Sequence, residues 1–311
     1  MFAPLLKLAL ALIFAMNYKN WLSKNTESLC GKRVAVTGAT GGLGTELCRF
    51  LAELGAELLL LNRSEEKTLA LINKLKSEYK NLKAEFIPLE LEDKISVENA
   101  ARELQKNCPD VIVHNAGAYS IPRRKTNFGF NNIFAINYLA PLYITELLWK
   151  ELSEKSARVV VVGSIAHNYS KTNADNIDFS GVRADSKVYG NAKRHLMLSM
   201  YEKFQNEKDV TLSVVHPGIT FTNITAHYPK WIFAIIKNPM KIIFMKPRKA
   251  ALCIVKGIFS ECKYGEWIGP RFFAIWGLPK KASLKTFNKQ EAKAVYLKSQ
   301  KILGANIRSH E

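Results

Sequence analysis

Tyr189 and Lys193 stand four residues apart in the run Tyr-Gly-Asn-Ala-Lys. That step puts two side chains on one face of a helix. A phenol beside an ammonium is a proton-transfer device. The positive charge favours the phenolate and draws the phenol from about 10 toward neutrality, where a general acid/base works best. The spacing alone also arises by chance on solvated helix faces, so its meaning depends on its surroundings. Upstream lies Thr37-Gly38-Ala39-Thr40-Gly41-Gly42-Leu43-Gly44. Glycines permit a tight turn and close backbone approach, and a helix starting there offers free N–H groups to a pyrophosphate.

Both features need particular elements to hold them. A short β-rich run, Lys32-Arg33-Val34-Ala35-Val36, precedes the glycine turn, and Leu47, Phe50, Leu51 and Leu54 follow it at helical spacing. Strand, glycine turn and helix together make the fingerprint meaningful. The next strand, 57–61, ends in Asn62-Arg63-Ser64. A carboxylate there would receive the ribose 2′-hydroxyl of NAD, whereas an Arg accommodates the 2′-phosphate of NADP. Arg63 therefore predicts a preference for NADP(H), with NAD(H) as the alternative.

Strands are predicted over 32–37, 57–61, 83–89, 110–114, 157–163, 210–216 and 264–268, with helices near 43–54, 65–80, 94–106, 128–152, 186–206 and 248–259. Val111-Ile112-Val113 and the run 159–162 are continuous β-branched stretches, as expected of strands buried on both faces. Right-handed β-α-β crossovers then give an α/β fold, a doubly wound parallel sheet of about seven strands with helices on both faces. No linker rich in Pro, Gly or Ser divides it.

Read in order, these residues resemble the short-chain dehydrogenase/reductases of the single-domain type, over about residues 30 to 270. The matching set is the glycine turn, Asn115-Ala116-Gly117 after the fourth strand, Asn137 in the following helix, Ser164 ending the fifth strand, Tyr189 with Lys193, and His216-Pro217-Gly218 after the sixth. The spelling Val-Val-Gly-Ser-Ile-Ala-His and the 25-residue step from Ser164 to Tyr189 are similar to the retinol dehydrogenase-like branch. The resemblance implies hydride transfer between a nicotinamide and an alcohol or carbonyl. Tyr189 would act as general acid/base, and Lys193 would lower its pKa and bond the nicotinamide ribose. Ser164 would hold the reacting oxygen, and Asn137 would anchor a water relay. It implies a dinucleotide site drawing on Thr37, Gly38, Thr40, Gly42, Leu43 and Gly44 of the turn, then Asn62, Arg63, Glu90 and Leu91. Asn115, Ala116, Gly117, Tyr189 and Lys193 would continue it, with Pro217, Gly218, Ile219 and Thr222 closing it. Glu90-Leu91 stands where the family often carries Asp-Leu, which makes that adenine contact differ. The turn also satisfies the Thr-Gly-x-x-Gly-x-x-Gly spacing of epimerase-like relatives, but too little chain follows for their larger substrate domain.

The net charge of +18 exceeds what a dinucleotide requires. No zinc-ligand spacing or nucleic-acid motif accompanies it, so neither a metal nor nucleic acid is expected. Between Gly218 and Ser260 there is no Asp or Glu, while Lys230, Lys237, Lys241, Lys246, Arg248 and Lys249 lie among Trp231, Phe233, Ile235, Ile236 and Phe244. Residues 219–260 are read as a substrate lid and a face toward an anionic membrane. Residues 1–30 form a hydrophobic N-terminal segment. Its uninterrupted apolar run, 8–16, falls below the roughly 18–20 residues that span a bilayer, and Tyr18 and Trp21 are of the types that favour the membrane interface. Five scattered cysteines with no Cys-x-x-Cys pair suit a reducing compartment. His167 and His216 are read as structural hydrogen bonders. Residues 271–311 are expected to be a basic tail with a helix over Lys289–Leu303. The sequence thus predicts a membrane-associated oxidoreductase with its catalytic domain toward the cytoplasm and a lipophilic substrate, and a homodimer is compatible with it. The alternatives are a non-catalytic NADP-binding membrane protein, or a sugar-nucleotide epimerase or dehydratase.

Overall fold

The computed structural model describes residues 18–220 and 245–304. The apolar run before residue 18, residues 221–244 of the basic apolar stretch with Thr222, and the chain after residue 304 lie outside the described residues. The sheet has the order β3-β2-β1-β4-β5-β6-β7-β8. Its strands are β1 (Arg33–Thr37), β2 (Glu57–Asn62), β3 (Ala84–Pro88), β4 (Val111–His114), β5 (Arg158–Val162), β6 (Thr211–Val215), β7 (Glu266–Phe272) and β8 (Trp276–Ser283). All neighbouring pairs are parallel except β7 with β8. The strand order reverses between β1 and β4, which opens a crevice at the carboxyl edge where ligands bind in such sheets.

Two apolar layers sandwich this sheet, so its central strands carry unbroken Val and Ile rather than an alternating pattern. One face is covered by α2 (Gly42–Glu53), α3 (Glu65–Glu78) and α8 (Pro247–Phe259), packed on Val34, Val36, Val160 and Ile268. The other is covered by α4 (Lys94–Lys106), the helix α5 that begins at Asn132 and ends at Leu147, and α7 (Asp185–Phe204), packed on Ile112, Val159, Val161 and Val214. A short α6 (Trp149–Glu154) follows α5. The single helix expected over 128–152 is thus broken, and a π-helical turn, Ala135–Leu139, interrupts α5 as well.

Two expectations about the ends of the domain need correction. Trp21, read as a membrane-interface residue, lies in α1 (Tyr18–Asn25) and is buried in the core, because its ring gains more by packing on the body. The boundary expected at residue 270 falls inside β7, since the strand turns back and adds β8 as one more strand. The tail helix α9 (Lys289–Leu303) runs over the residues predicted and packs on α7 through Ala292, Val295, Ser299 and Leu303. Buried polar contacts lock it there. Glu146 of α5 accepts from Lys203 at 2.9 Å, Tyr296 at 3.1 Å and Gln300 at 2.9 Å, and Glu291 of α9 pairs with Arg194 of α7. Breaking such a buried pair from one side costs about 3–5 kcal/mol.

Candidate active site

The carboxyl ends of β4 and β5, the turn of α5 and the first half of α7 bring Asn137, Ser164, Tyr189 and Lys193 together. Ser164 lies two residues beyond β5, and its hydroxyl accepts from the Ala166 N–H at 3.2 Å, starting a short 3-10 turn over Ile165–Tyr169. The same hydroxyl lies close enough to the Tyr189 phenol to favour its ionised form. Close approach of α7 to this turn depends on Gly190. A Cβ there would lie 2.3 Å from the Ala166 carbonyl oxygen, so only glycine lets Tyr189 reach Ser164 without moving the turn.

Lys193, only 2% exposed, donates from Nζ to the Val162 carbonyl at 2.8 Å and sits 5.8 Å from the centre of the Tyr189 ring. Asn137 lies in the π turn. Its amide donates to the carbonyls of Ala118 and Ile133, both at 2.8 Å, and its Oδ1 accepts from the Ala118 N–H at 3.2 Å. The Ile133 carbonyl would accept a backbone N–H four residues on in a regular α-helix. Here the Asn137 side chain reaches that carbonyl as well, at the π turn. Gly117 keeps open the space between these groups: a Cβ there would fall 2.9 Å from Asn137 Oδ1 and 3.5 Å from Lys193 Nζ.

The electrostatics differ from the simple expectation that Lys193 draws the phenol toward neutrality. Burial, the larger influence, pushes the Tyr189 phenol up to about 12, opposed by the Ser164 hydroxyl and reinforced by Tyr119. Burial also pulls Lys193 down to about 7. The ammonium is therefore readily neutralised, and its distance from the phenol weakens what charge it keeps.

The glycine turn fits a dinucleotide. Gly38 has a left-handed backbone (φ 69°), and a Cβ on Gly44 would lie 2.3 Å from the Gly38 carbonyl. The N-cap of α2 is Gly41, and no side chain caps it. Its N–H groups are free to meet a pyrophosphate. Thr37 and Asn115 brace the crevice. The Ala116 N–H donates to Thr37 Oγ1 at 3.0 Å, and Asn115 Nδ2 donates to the carbonyls of Thr37 at 3.0 Å and Gly38 at 3.2 Å. Two buried polar atoms, Asn62 Nδ2 and Asn115 Oδ1, have no hydrogen-bond partner within the described protein.

The remaining predicted cofactor residues divide. Asn62 Oδ1 accepts from the Thr40 N–H at 3.5 Å, which ties β2 to the glycine turn. Arg63 is exposed and forms an ion pair with Glu90 at 3.6 Å, so the two side chains predicted to meet different parts of the nucleotide meet each other. Leu91 is buried in the core, and Leu43 packs against the α2 side. Pro217 and Gly218 follow β6, and the Ile219 carbonyl accepts from the Met245 N–H at 2.9 Å. Thr222 lies outside the described residues.

Sequence reading missed several neighbours. Tyr119 packs edge-on to Tyr189 at 5.3 Å, and nothing in its local spacing marks it. It is held by Ser120, left-handed at φ 52°, which donates to Asp185 at 2.6 Å. Gly190 was visible inside the Tyr-to-Lys run, yet only the approach of the Ala166 carbonyl gives it meaning. His167 is structural as expected, bonding the Ser164 carbonyl at 2.6 Å and Thr286 Oγ1 at 3.0 Å. His216 lies flat on Trp267 at 5.3 Å, and burial pulls it down to about 3. No cluster of metal-ligating side chains occurs among the described residues.

Comparison with known proteins agrees with this fold. The model of the short chain dehydrogenase family matches residues 32–232. Human polyprenol dehydrogenase is 33% identical over 207 residues, covering 63% of this chain and 63% of that protein. The match thus spans less than two thirds of the human protein. The Danio rerio polyprenol dehydrogenase is 30% identical over 232 residues, 71% of this chain and 72% of its own. Mouse retinol dehydrogenase 12 is 31% identical over 200 residues, 63% of each. Among solved structures, an uncharacterised protein from Mycobacterium paratuberculosis superposes with a TM-score of 0.71 at 21% identity, covering 90% of this chain and 96% of that one. The Pseudomonas aeruginosa RhlG complex with NADP superposes with a TM-score of 0.57 at 22% identity, covering 75% and 91%. At these identities the structures speak for the fold. The chain belongs to the short-chain dehydrogenase family, in its retinol dehydrogenase-like branch.

Proposed function

We propose that this protein is an NADP(H)-preferring oxidoreductase that interconverts an alcohol and a carbonyl on a long lipophilic molecule at a membrane. The observation that carries the chemistry is the Ser164 hydroxyl beside the Tyr189 phenol, with Lys193 and Asn137 next to them at the carboxyl edge of the sheet. In the reductive direction Tyr189 gives its proton to the substrate oxygen as charge develops there, and Ser164 holds that oxygen by a second hydrogen bond. A phenol pushed up to about 12 resists losing its proton, so the step needs a base to form at the substrate oxygen. The bound nicotinamide would supply the hydride that makes that oxygen basic. The space beside Gly117, bounded by Asn137 Oδ1 and Lys193 Nζ, is suited to a water that returns the proton. Lys193, near neutral at about 7, is poised to pass it on.

The cofactor would lie with its pyrophosphate on the N-terminus of α2 and its ribose near Arg63. The Arg63–Glu90 pair is exposed and worth at most about 1 kcal/mol, so a 2′-phosphate competes with it easily. Support for a lipophilic substrate comes from the similarity to polyprenol and retinol dehydrogenases and from the acid-free apolar stretch after Gly218. None of the helices among the described residues is long and apolar enough to cross a membrane. The test is NADPH oxidation and NADP⁺ reduction by the full chain with polyprenol-, retinoid- and fatty-chain alcohols and carbonyls. Tyr189→Phe should lower turnover by about 10²–10⁴-fold while NADPH binding, followed by its fluorescence, stays within a few-fold. A Phe variant that keeps most of its activity removes Tyr189 from the proton transfer.

A further inference from the structure

The tip of the β7–β8 hairpin displays Phe272 and Phe273, 46% and 82% exposed, side by side. The other large apolar residues exposed among the described residues, such as Ile95 and Leu297, stand singly. Phe273 and Ala274 both adopt left-handed backbones, φ 53° and 56°, in a tight turn closed by the Ile275 N–H donating to the Phe272 carbonyl at 2.9 Å. Such turns ordinarily take Asn and Gly. A phenylalanine at that position carries a conformational cost that no burial within the chain offsets.

Charge lies along the hairpin behind the tip. Arg271 stacks near the Phe272 ring at 5.9 Å, and Lys280, Lys281 and Lys285 are exposed along β8 and just beyond it. Among the described residues none of these four cations has a carboxylate at ion-pair distance, whereas Arg194, Lys203 and Arg248 on the body are each paired. Beneath the tip lies a cavity of ≈ 430 Å³, lined by Arg271, Phe273, Lys280 and Lys285 on one side and by Ile165 and His167 on the other. Ile165 and His167 belong to the short turn that follows Ser164. The hairpin also touches the chain leaving β6. A Cβ on Gly218 would lie 2.8 Å from the Ile275 carbonyl and 3.0 Å from Pro270.

We propose that this hairpin tip is a docking surface for an anionic phospholipid bilayer. Phe272 and Phe273 enter the interface, and Arg271, Lys280, Lys281 and Lys285 meet lipid phosphates and carboxylates. Two exposed aromatic rings at the tip of a hairpin that carries four unneutralised cations are complementary to such a surface. The placement rests on the lipophilic-substrate reading above, since an enzyme acting on such a molecule meets it at a bilayer.

The full chain is mixed with phosphatidylcholine vesicles, with and without phosphatidylserine, and the bound fraction is measured by flotation without substrate. Phe272→Ser/Phe273→Ser should weaken partition into phosphatidylserine vesicles by about tenfold or more. Lys280→Glu/Lys285→Glu should weaken it similarly and leave the weak binding to phosphatidylcholine unchanged. Ile95→Ser and Leu297→Ser should leave both unchanged. Melting temperature and NADPH binding by the variants report on folding. Wild-type partition by either double variant overturns the proposal. So does loss of a dimer in sedimentation velocity by the Phe variant with no change in partition, which would make the tip a contact between copies. Turnover by the wild type is scored separately: its absence counts against the oxidoreductase reading, and unchanged vesicle binding by the variants counts against the docking surface.

Discussion

Gly190→Ala separates the geometry of the site from the stability of the fold. The new methyl would sit 2.3 Å from the Ala166 carbonyl oxygen, about 1 Å inside ordinary contact, which begins at 3.4 Å. Neither partner is a flexible side chain. One is the backbone of the turn that starts at Ser164, and the other is the helix that carries Tyr189. Either α7 tilts or the turn withdraws, and both motions separate the Ser164 hydroxyl from the phenol. A displacement of about 1 Å at reacting groups costs on the order of 100-fold in rate. Stability moves less. Overpacking costs about 1–3 kcal/mol, while alanine regains about 1 kcal/mol over glycine inside a helix. The net loss is about 0–2 kcal/mol, a fall of no more than about 8 °C in Tm at ~2–4 °C per kcal/mol. The assay is kcat/KM for a lipophilic carbonyl with NADPH, beside a thermal melt and an NADPH titration. An alanine variant that keeps kcat/KM within threefold of wild type while melting normally would refute the reasoning.

Two further expectations concern charge. Arg63→Ala should weaken NADPH binding by about tenfold or more while changing NADH by less than twofold, as one charge-assisted contact to a phosphate is worth about 1.5–3 kcal/mol; equal loss for both cofactors places the 2′-phosphate elsewhere. Lys193 is held down to about 7 in the fold against 10.5 when free, so between those limits the unfolded chain binds the extra proton and wild-type stability rises with pH. The cost of burying the ammonium is fully present below about pH 7. Relative to Lys193→Met, the wild type should therefore gain a few kcal/mol in urea denaturation on going from about pH 7 to about pH 10. A pH-independent difference would show that Lys193 titrates normally.

The main architecture was legible because its signals are local. Strands buried on both faces spell themselves as Val and Ile runs, and the glycine turn announces itself by composition. The Ser164, Tyr189 and Lys193 positions follow from the same reading, and the structure brings them together. What escaped depends on distant contact. The π turn at Ala135–Leu139 leaves no periodic trace, because the helix before and after it remains apolar. β8 was read as tail since Trp276–Ser283 carries Pro279 and two lysines, which lower strand propensity. Trp21 was assigned to a membrane because its type suits an interface, and only the packing of α1 shows it is covered by protein. The Arg63–Glu90 pair was likewise hidden, since the two residues come from adjacent strand ends far apart in sequence.

The π turn has a consequence for how the site tolerates insertions and deletions. A π turn holds one residue more than the α-helical turn it replaces, so everything beyond it is rotated by about 100° relative to an uninterrupted helix. The helical phase of α5 is therefore split at Asn137, with Ile133 and Phe134 set on one phase and Leu142 and Ile144 on the next. Removing a single residue within Ala135–Leu139 would let the helix close into regular α geometry, a change the backbone itself welcomes. The same deletion would turn Asn137 off the crevice. Such a chain would gain helical regularity at the cost of its site, which makes helical phase, rather than residue identity alone, a determinant of the function of α5.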